Sequence, residues 1–267
     1  MVKEPEDLVD RDLLHLLAYI KRLPLPSDEV IAGRKIEFGE IIRHKTLIFD
    51  LDETLIHSKM VPPGAPQMST FAQGGGAQSS GDNAQLSFEI QLPGAPPGQG
   101  RFLVTQRPYL RMCLEHLSNY YEMAIFTAAE QTYADLIVDH IDPERKYFRH
   151  RLYRHHCIKV AEVYVKDLRI IDDRTFEDMV IVDNSILSFA AQLDNGVPIC
   201  SFVTTTAYTP MLPNNSGVDM MGMPVDQELH QKDVRIANRK TFQLTQLMDD
   251  IREDGEDEQM DDDEDDQ

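Results

Sequence analysis

Two acids stand two residues apart in DLDET (50–54), directly after the apolar run TLIF. At that spacing Asp50 and Asp52 can lean toward the same side of a strand end. Neighbouring carboxylates repel, and both stay charged only beside a cation; otherwise one holds a proton. Such a pair suits Mg²⁺, which takes hard oxygen ligands and keeps several waters. It also suits a plain turn, because Asp bonds its own backbone there. Two further apolar runs, MAIFT (123–127) and MVIVD (179–183), end in Thr127 and Asp183, and Asn184 follows the second. Lys166 lies in the largely apolar stretch AEVYVKDL, an unusual setting for a surface lysine.

These groups need elements that bring strand ends together. TLIFD (46–50), MAIFT, MVIVD and PICSF (198–202) are short apolar runs that read as buried strands. YLRMCLEHL and QTYADLIVDHI lie between them and read as helices. Continuous apolar strands alternating with helices predict an α/β fold, a parallel sheet with helices on both faces. In such sheets ligands gather at the carboxyl ends of the strands, where Asp50, Thr127 and Asp183 fall. Residues 59–100 hold eight of the fourteen glycines and six of the fifteen prolines. Inside that stretch LSFEIQL (86–92) alternates on one face and RFLVT (101–105) follows, which predicts a small β-hairpin insertion. The first 23 residues read as an amphipathic helix, with residues 1–44 forming that helix and a linker.

The net charge is −20, and residues 249–267 contribute −12 of it, leaving −8 on the other 248 residues. That balance disfavours direct binding of nucleic acid, which requires surplus Lys and Arg. The tail (252–267) cannot bury enough apolar surface to fold and reads as disordered; contact with basic proteins is the role its charge suggests. A C-terminal helix is expected over 226–251. No run approaches the ~20 apolar residues of a membrane segment. Three cysteines provide no CxxC pair or disulfide framework, which indicates a reducing compartment. Residues 145–166 carry seven Lys/Arg against one acid, Glu162. His150, His155, His156 and Cys157 crowd there without a zinc-ligand spacing.

DLDETLIHS resembles the DxDx[TV] signature of haloacid-dehalogenase-type phosphatases. QRPYLRMCLEHL, IFTAAEQTYAD, YVKDL and IVDNS then follow in the order found in the FCP-homology (NLI-interacting-factor-like) branch, which holds the small C-terminal-domain phosphatases and Dullard. The resemblance spans roughly residues 45–210, within a domain expected at 45–225. It implies a Rossmannoid haloacid-dehalogenase fold and a Mg²⁺-dependent protein serine/threonine phosphatase acting through an aspartyl-phosphate. Asp50 would be the nucleophile and Asp52 the acid and base. Thr127 and Lys166 would hold the phosphoryl group, and Asp183 and Thr54 would support the site. Mg²⁺ would rest on Asp50, the Asp52 carbonyl and Asn184. Arg154, Tyr133, Phe88 and Ile90 would contact a phosphorylated protein, and Glu130 stands where relatives carry an apolar pocket residue. A nuclear or cytoplasmic location is implied. The alternatives are a catalytically silent phosphopeptide-binding scaffold and a small-molecule phosphatase. An intact acid at Asp52 argues against the first, and the slight insertion, too small to enclose a metabolite, against the second.

Overall fold

The computed structural model describes residues 11–66 and 86–204. The helix expected at 226–251 and the acidic tail lie outside these residues, as do positions 1–10. The described chain opens with α1 (Arg11–Arg22) and the short α2 (Asp28–Ala32). Strand β1 (Lys45–Phe49) is followed by β2 (Ile56–Met60), β3 (Ser87–Gln91) and β4 (Arg101–Gln106). Next come α3 (Leu110–Leu117), β5 (Tyr121–Phe126), α4 (Gln131–Ile141) and β6 (Phe148–Leu152). The short β7 (Ile158–Val160) and β8 (Val163–Val165) pair with each other, and β9 (Met179–Asp183) and β10 (Gly196–Pro198) complete the set.

Five strands form a parallel sheet in the order β10-β9-β1-β5-β6. β1 lies at its centre because KTLIF has one exposed residue and then four buried ones, a strand apolar on both faces. Alternate residues feed two cores. Ile48, Ala124, Phe126 and Ile181 pack with Leu13, Leu17 and Ile20 of α1. Leu47, Phe49, Met123 and Ile125 pack with Leu114 of α3 and Ile137 and Val138 of α4. Helices therefore cover both faces, as the alternating pattern requires.

Chain order reverses beside β1, since β5 and β6 extend to one side of it and β9 and β10 to the other. The crevice at such a switch point is the usual ligand site of an open α/β sheet. Phe49 pairs with Ile125 on one side and Val182 on the other, so Asp50, Thr127 and Asp183 emerge at one rim.

The expected hairpin forms, with Ile90 paired to Phe102 in antiparallel register. It is larger than two strands: β2 pairs along the other edge of β4, giving a three-stranded sheet β2-β4-β3. One expected strand is displaced. PICSF lies mostly outside the sheet, where β10 stops at Pro198. The backbone turns away after it because Phe202 donates its N–H to the Glu53 carbonyl at 2.7 Å and Cys200 offers its carbonyl to Arg107.

Candidate active site

The Asp50 N–H donates to the Val182 carbonyl at 2.9 Å, which carries the parallel ladder one residue past β1. Leu51 is fully buried and anchors the turn, and Leu55 and Ile56 both return their N–H groups to its carbonyl. Glu53 then adopts φ +60°, a left-handed conformation that non-glycine residues seldom take. The surroundings hold it there. Arg107 donates to the carbonyls of Thr54 (2.6 Å), Glu53 (3.2 Å) and Cys200 (2.7 Å), and its guanidinium lies over the Phe202 ring. The turn and the 200–202 segment are thereby tied by one side chain.

Lys166 is the electrostatic centre. Its Nζ donates to Asp50 Oδ1 and to Asp183 Oδ2, each at 2.6 Å, and its side chain is 1% exposed. Burial alone would lower the lysine pKa; Asp50 and Asp183 more than reverse that and hold it above its ordinary value. Asp183 is pushed up, by burial first and by Asp50, against the pull of Lys166. Its second oxygen accepts the Ser185 N–H at 2.7 Å, which fixes the carboxylate plane.

Asp52 faces the same cleft. Burial, with a smaller contribution from Asp50, raises its pKa to about 6, while the Tyr133 hydrogen bond pulls the other way. A carboxyl poised there can both give and take a proton near neutral pH. The Thr127 hydroxyl accepts the Ala129 N–H at 3.0 Å, an arrangement that leaves its own proton to donate into the cleft. Thr54, buried, bonds the Asn184 side-chain oxygen (3.3 Å) and accepts the Asn184 N–H (3.2 Å). The Asn184 amide nitrogen donates to Glu53 and Ser201, so Oδ1 is the acceptor end of the amide; it takes the Thr54 hydroxyl and keeps one further lone pair.

Two carboxylates, Asp50 and Asp183, thus share one ammonium with the Asp52 carboxyl close by, and that deficit of positive charge matches a divalent cation. Among the described residues no group of three His, Cys, Asp or Glu side chains is arranged to hold a metal. An ion would instead use hard oxygens of mixed kind: the Asp50 carboxylate, Asn184 Oδ1 and backbone carbonyls, completed by waters. That donor chemistry fits Mg²⁺.

The cleft above these groups holds about 600 Å³. Arg154 lies on one side, donating from Nε to the Ala128 carbonyl (2.6 Å) and from a terminal nitrogen to Glu130 (2.9 Å). Glu130 is therefore partnered, and its charge at the mouth is offset by the arginine. Tyr133, Leu92 and Phe102 line the other side. Phe88 and Ile90, expected to form this wall, do not. Both are buried in the core beneath the insertion, and Phe88 stacks on His140 at the far end of α4 with ring centroids 3.6 Å apart. The period-2 row continues to Leu92, and that residue, with Phe102 from β4, reaches the cleft.

Residues 45–213 match the family described as NLI interacting factor-like phosphatase. The chain belongs to that family. Relatives include CTD small phosphatase-like protein 3 of Caenorhabditis elegans, 38% identical over 157 residues, covering 59% of this chain and 47% of that protein. CTD nuclear envelope phosphatase 1B of Danio rerio is 30% identical over 203 residues, covering 71% of this chain and 74% of its own. The chain thus spans about half the length of the worm relative. A solved fission yeast RNA polymerase II CTD phosphatase bound to beryllium fluoride is similar at 23% identity and a TM-score of 0.43, covering 60% of this chain and 42% of that one.

Of the residues singled out from the family pattern, Asp50, Asp52, Thr127, Lys166, Asp183 and Asn184 meet at one rim with Thr54 behind them, and Arg154, Tyr133 and Glu130 border the cleft. Sequence reasoning missed Arg107, Ser58 and Glu53. Arg107 precedes Pro108 at a strand end, where no periodic pattern marks a half-buried cation.

Proposed function

We propose that this chain is a Mg²⁺-dependent protein serine/threonine phosphatase working through an aspartyl-phosphate on Asp50. The observation that carries this reading is Lys166 clamped 2.6 Å from both Asp50 and Asp183, with the raised carboxyl of Asp52 two residues away. A bound Mg²⁺ would rest on Asp50, the Asp52 carbonyl and Asn184 and offset the charge of the phosphoryl oxygens. Asp50 attacks phosphorus, and the bond from phosphorus to the serine or threonine oxygen breaks. The Asp52 proton passes to that departing oxygen. Asp52, now a carboxylate, takes a proton from a water whose oxygen attacks phosphorus. The Asp50–phosphorus bond breaks and phosphate leaves. Lys166 orients Asp50 through its hydrogen bond to Oδ1, and the Thr127 hydroxyl is placed to donate to a phosphoryl oxygen.

The substrate we propose is a phosphorylated protein segment. Arg154 is 41% and Glu130 68% exposed at the rim, so an extended chain can reach the cleft among the described residues. The names of the relatives suggest C-terminal-domain repeats of RNA polymerase II or another phosphoprotein, in the nucleus or cytoplasm. Among the described residues no helix is long and apolar enough to cross a membrane. The test is purified protein with Mg²⁺ against a phosphopeptide array, with Asp50→Asn as control. Phosphate release by the native chain and a beryllium-fluoride adduct on Asp50 are expected. Release by Asp50→Asn above about 1% of the native rate would exclude the assigned nucleophile.

A further inference from the structure

Asp52 is held by a chain of hydroxyls from two other parts of the fold. The Tyr133 hydroxyl lies 2.6 Å from Asp52 Oδ1, and the Ser58 hydroxyl lies 2.6 Å from the Tyr133 oxygen. Tyr133 sits in the first turn of α4, and Ser58 is the middle residue of β2 in the insertion sheet. Phe102 of β4 meets the Tyr133 ring edge-on, with centroids 5.4 Å apart. Two strands of the insertion therefore fix the tyrosine, and the tyrosine fixes the acid.

Each hydroxyl has one proton, which sets the direction of the chain. An ionised Asp52 can only accept, so Tyr133 donates to Oδ1 and Ser58 donates to Tyr133. With Oδ1 committed as an acceptor, a proton taken up by Asp52 resides on Oδ2.

We propose that Tyr133 is the positioning residue for Asp52, selecting Oδ2 as the oxygen that carries the transferred proton, with Ser58 coupling the insertion sheet to that choice. The inference rests on the reading of Asp52 as general acid, and gives the insertion a part in turnover beyond its wall of the cleft. Without the phenol the carboxyl is free to rotate, and the proton is presented to the leaving oxygen only part of the time.

The test compares Tyr133→Phe, Ser58→Ala and Asp52→Asn on two substrates in single-turnover kinetics. One is a phosphoserine peptide, whose alkoxide leaving group needs protonation. The other is p-nitrophenyl phosphate, whose leaving group needs little. Loss of one hydrogen bond to a charged group predicts a fall of about 10- to 100-fold on the peptide for Tyr133→Phe. In rate constants taken at saturating substrate, where lost peptide binding does not enter, the fall on the aryl ester should be several-fold smaller than on the peptide, and Ser58→Ala should show the same selectivity at smaller size. Selective loss in Asp52→Asn with equal losses on both substrates in Tyr133→Phe would overturn this proposal alone. Equal losses in Asp52→Asn would overturn the acid assignment and this proposal with it. A misfolded Tyr133→Phe would lose both activities together with its melting transition; Ser58→Ala then decides, and equal losses there refute the coupling.

Discussion

Replacing Lys166 by Met keeps most of the side-chain volume and removes the ammonium that sits 2.6 Å from Asp50 and from Asp183. All three side chains are almost wholly inaccessible, at 1%, 9% and 1% exposure. Two carboxylates would then face each other in a buried site without their shared cation. Breaking a buried ion pair from one side costs about 3–5 kcal/mol. For a domain of this size each kcal/mol is worth about 2–4 °C, so the melting temperature should fall by about 6–20 °C. The assay is thermal and urea unfolding in chelator, at pH 7.5 and pH 5.5. In the variant the Asp183 carboxyl pKa rises further in the folded state, because burial and repulsion by Asp50 act without a cation. A group with a raised folded pKa contributes stability at low pH and loses it as pH rises through that value. The deficit should therefore be larger at pH 7.5 than at pH 5.5. Adding Asp183→Asn removes one of the two charges and should recover about half the loss. A fall below about 2 °C, or one that is independent of pH, would refute the account of Lys166 as the neutralising centre.

Arg107→Ala removes the guanidinium donor from the carbonyls of Thr54, Glu53 and Cys200 and should cost about 2 kcal/mol in urea unfolding along with a loss of kcat; Arg107→Lys should not rescue it, because a single ammonium cannot span three carbonyls. Glu130→Leu releases Arg154 from an exposed pair, so KM for a phosphopeptide with acidic flanks should fall about two- to fivefold, and an unchanged ranking of acidic and basic flanks would show that the pair does not shape selection. His150 is held below its ordinary pKa, chiefly by burial, while stacked on Phe38. A depressed histidine stabilises above its unfolded pKa and loses that contribution as pH falls, so His150→Gln should flatten the stability decline between pH 7 and 5. Chelation should abolish phosphate release, with Mg²⁺ restoring it and Ca²⁺, which prefers more and longer bonds, restoring less.

Local chemistry was readable in the amino-acid sequence wherever neighbours along the chain supply it. Apolar runs with polar ends gave β1, β5 and β9 and placed Asp50, Thr127 and Asp183 on one rim, because a parallel sheet aligns its carboxyl ends. Helical periodicity gave α3 and α4, and alternation gave β3 and β4. β2 and β6 escaped notice because IHSKM and FRHRL are mixed in polarity; their pairing partners, rather than their own composition, make them strands. Phe88 and Ile90 share a face with Leu92, yet only packing against α4 decided that the first two are core and the third meets the cleft. The partnering of Glu130 with Arg154, the clamp of Arg107 on the 50–54 turn, and the Ser58–Tyr133–Asp52 chain join residues 24 to 93 positions apart. Hydrogen bonds of that span depend on where the folded backbone brings side chains, which no local pattern encodes. The sequence determined which groups can do chemistry and which strand ends carry them; the tertiary structure alone decided how each group is held and charged, since burial and long-range contacts set both.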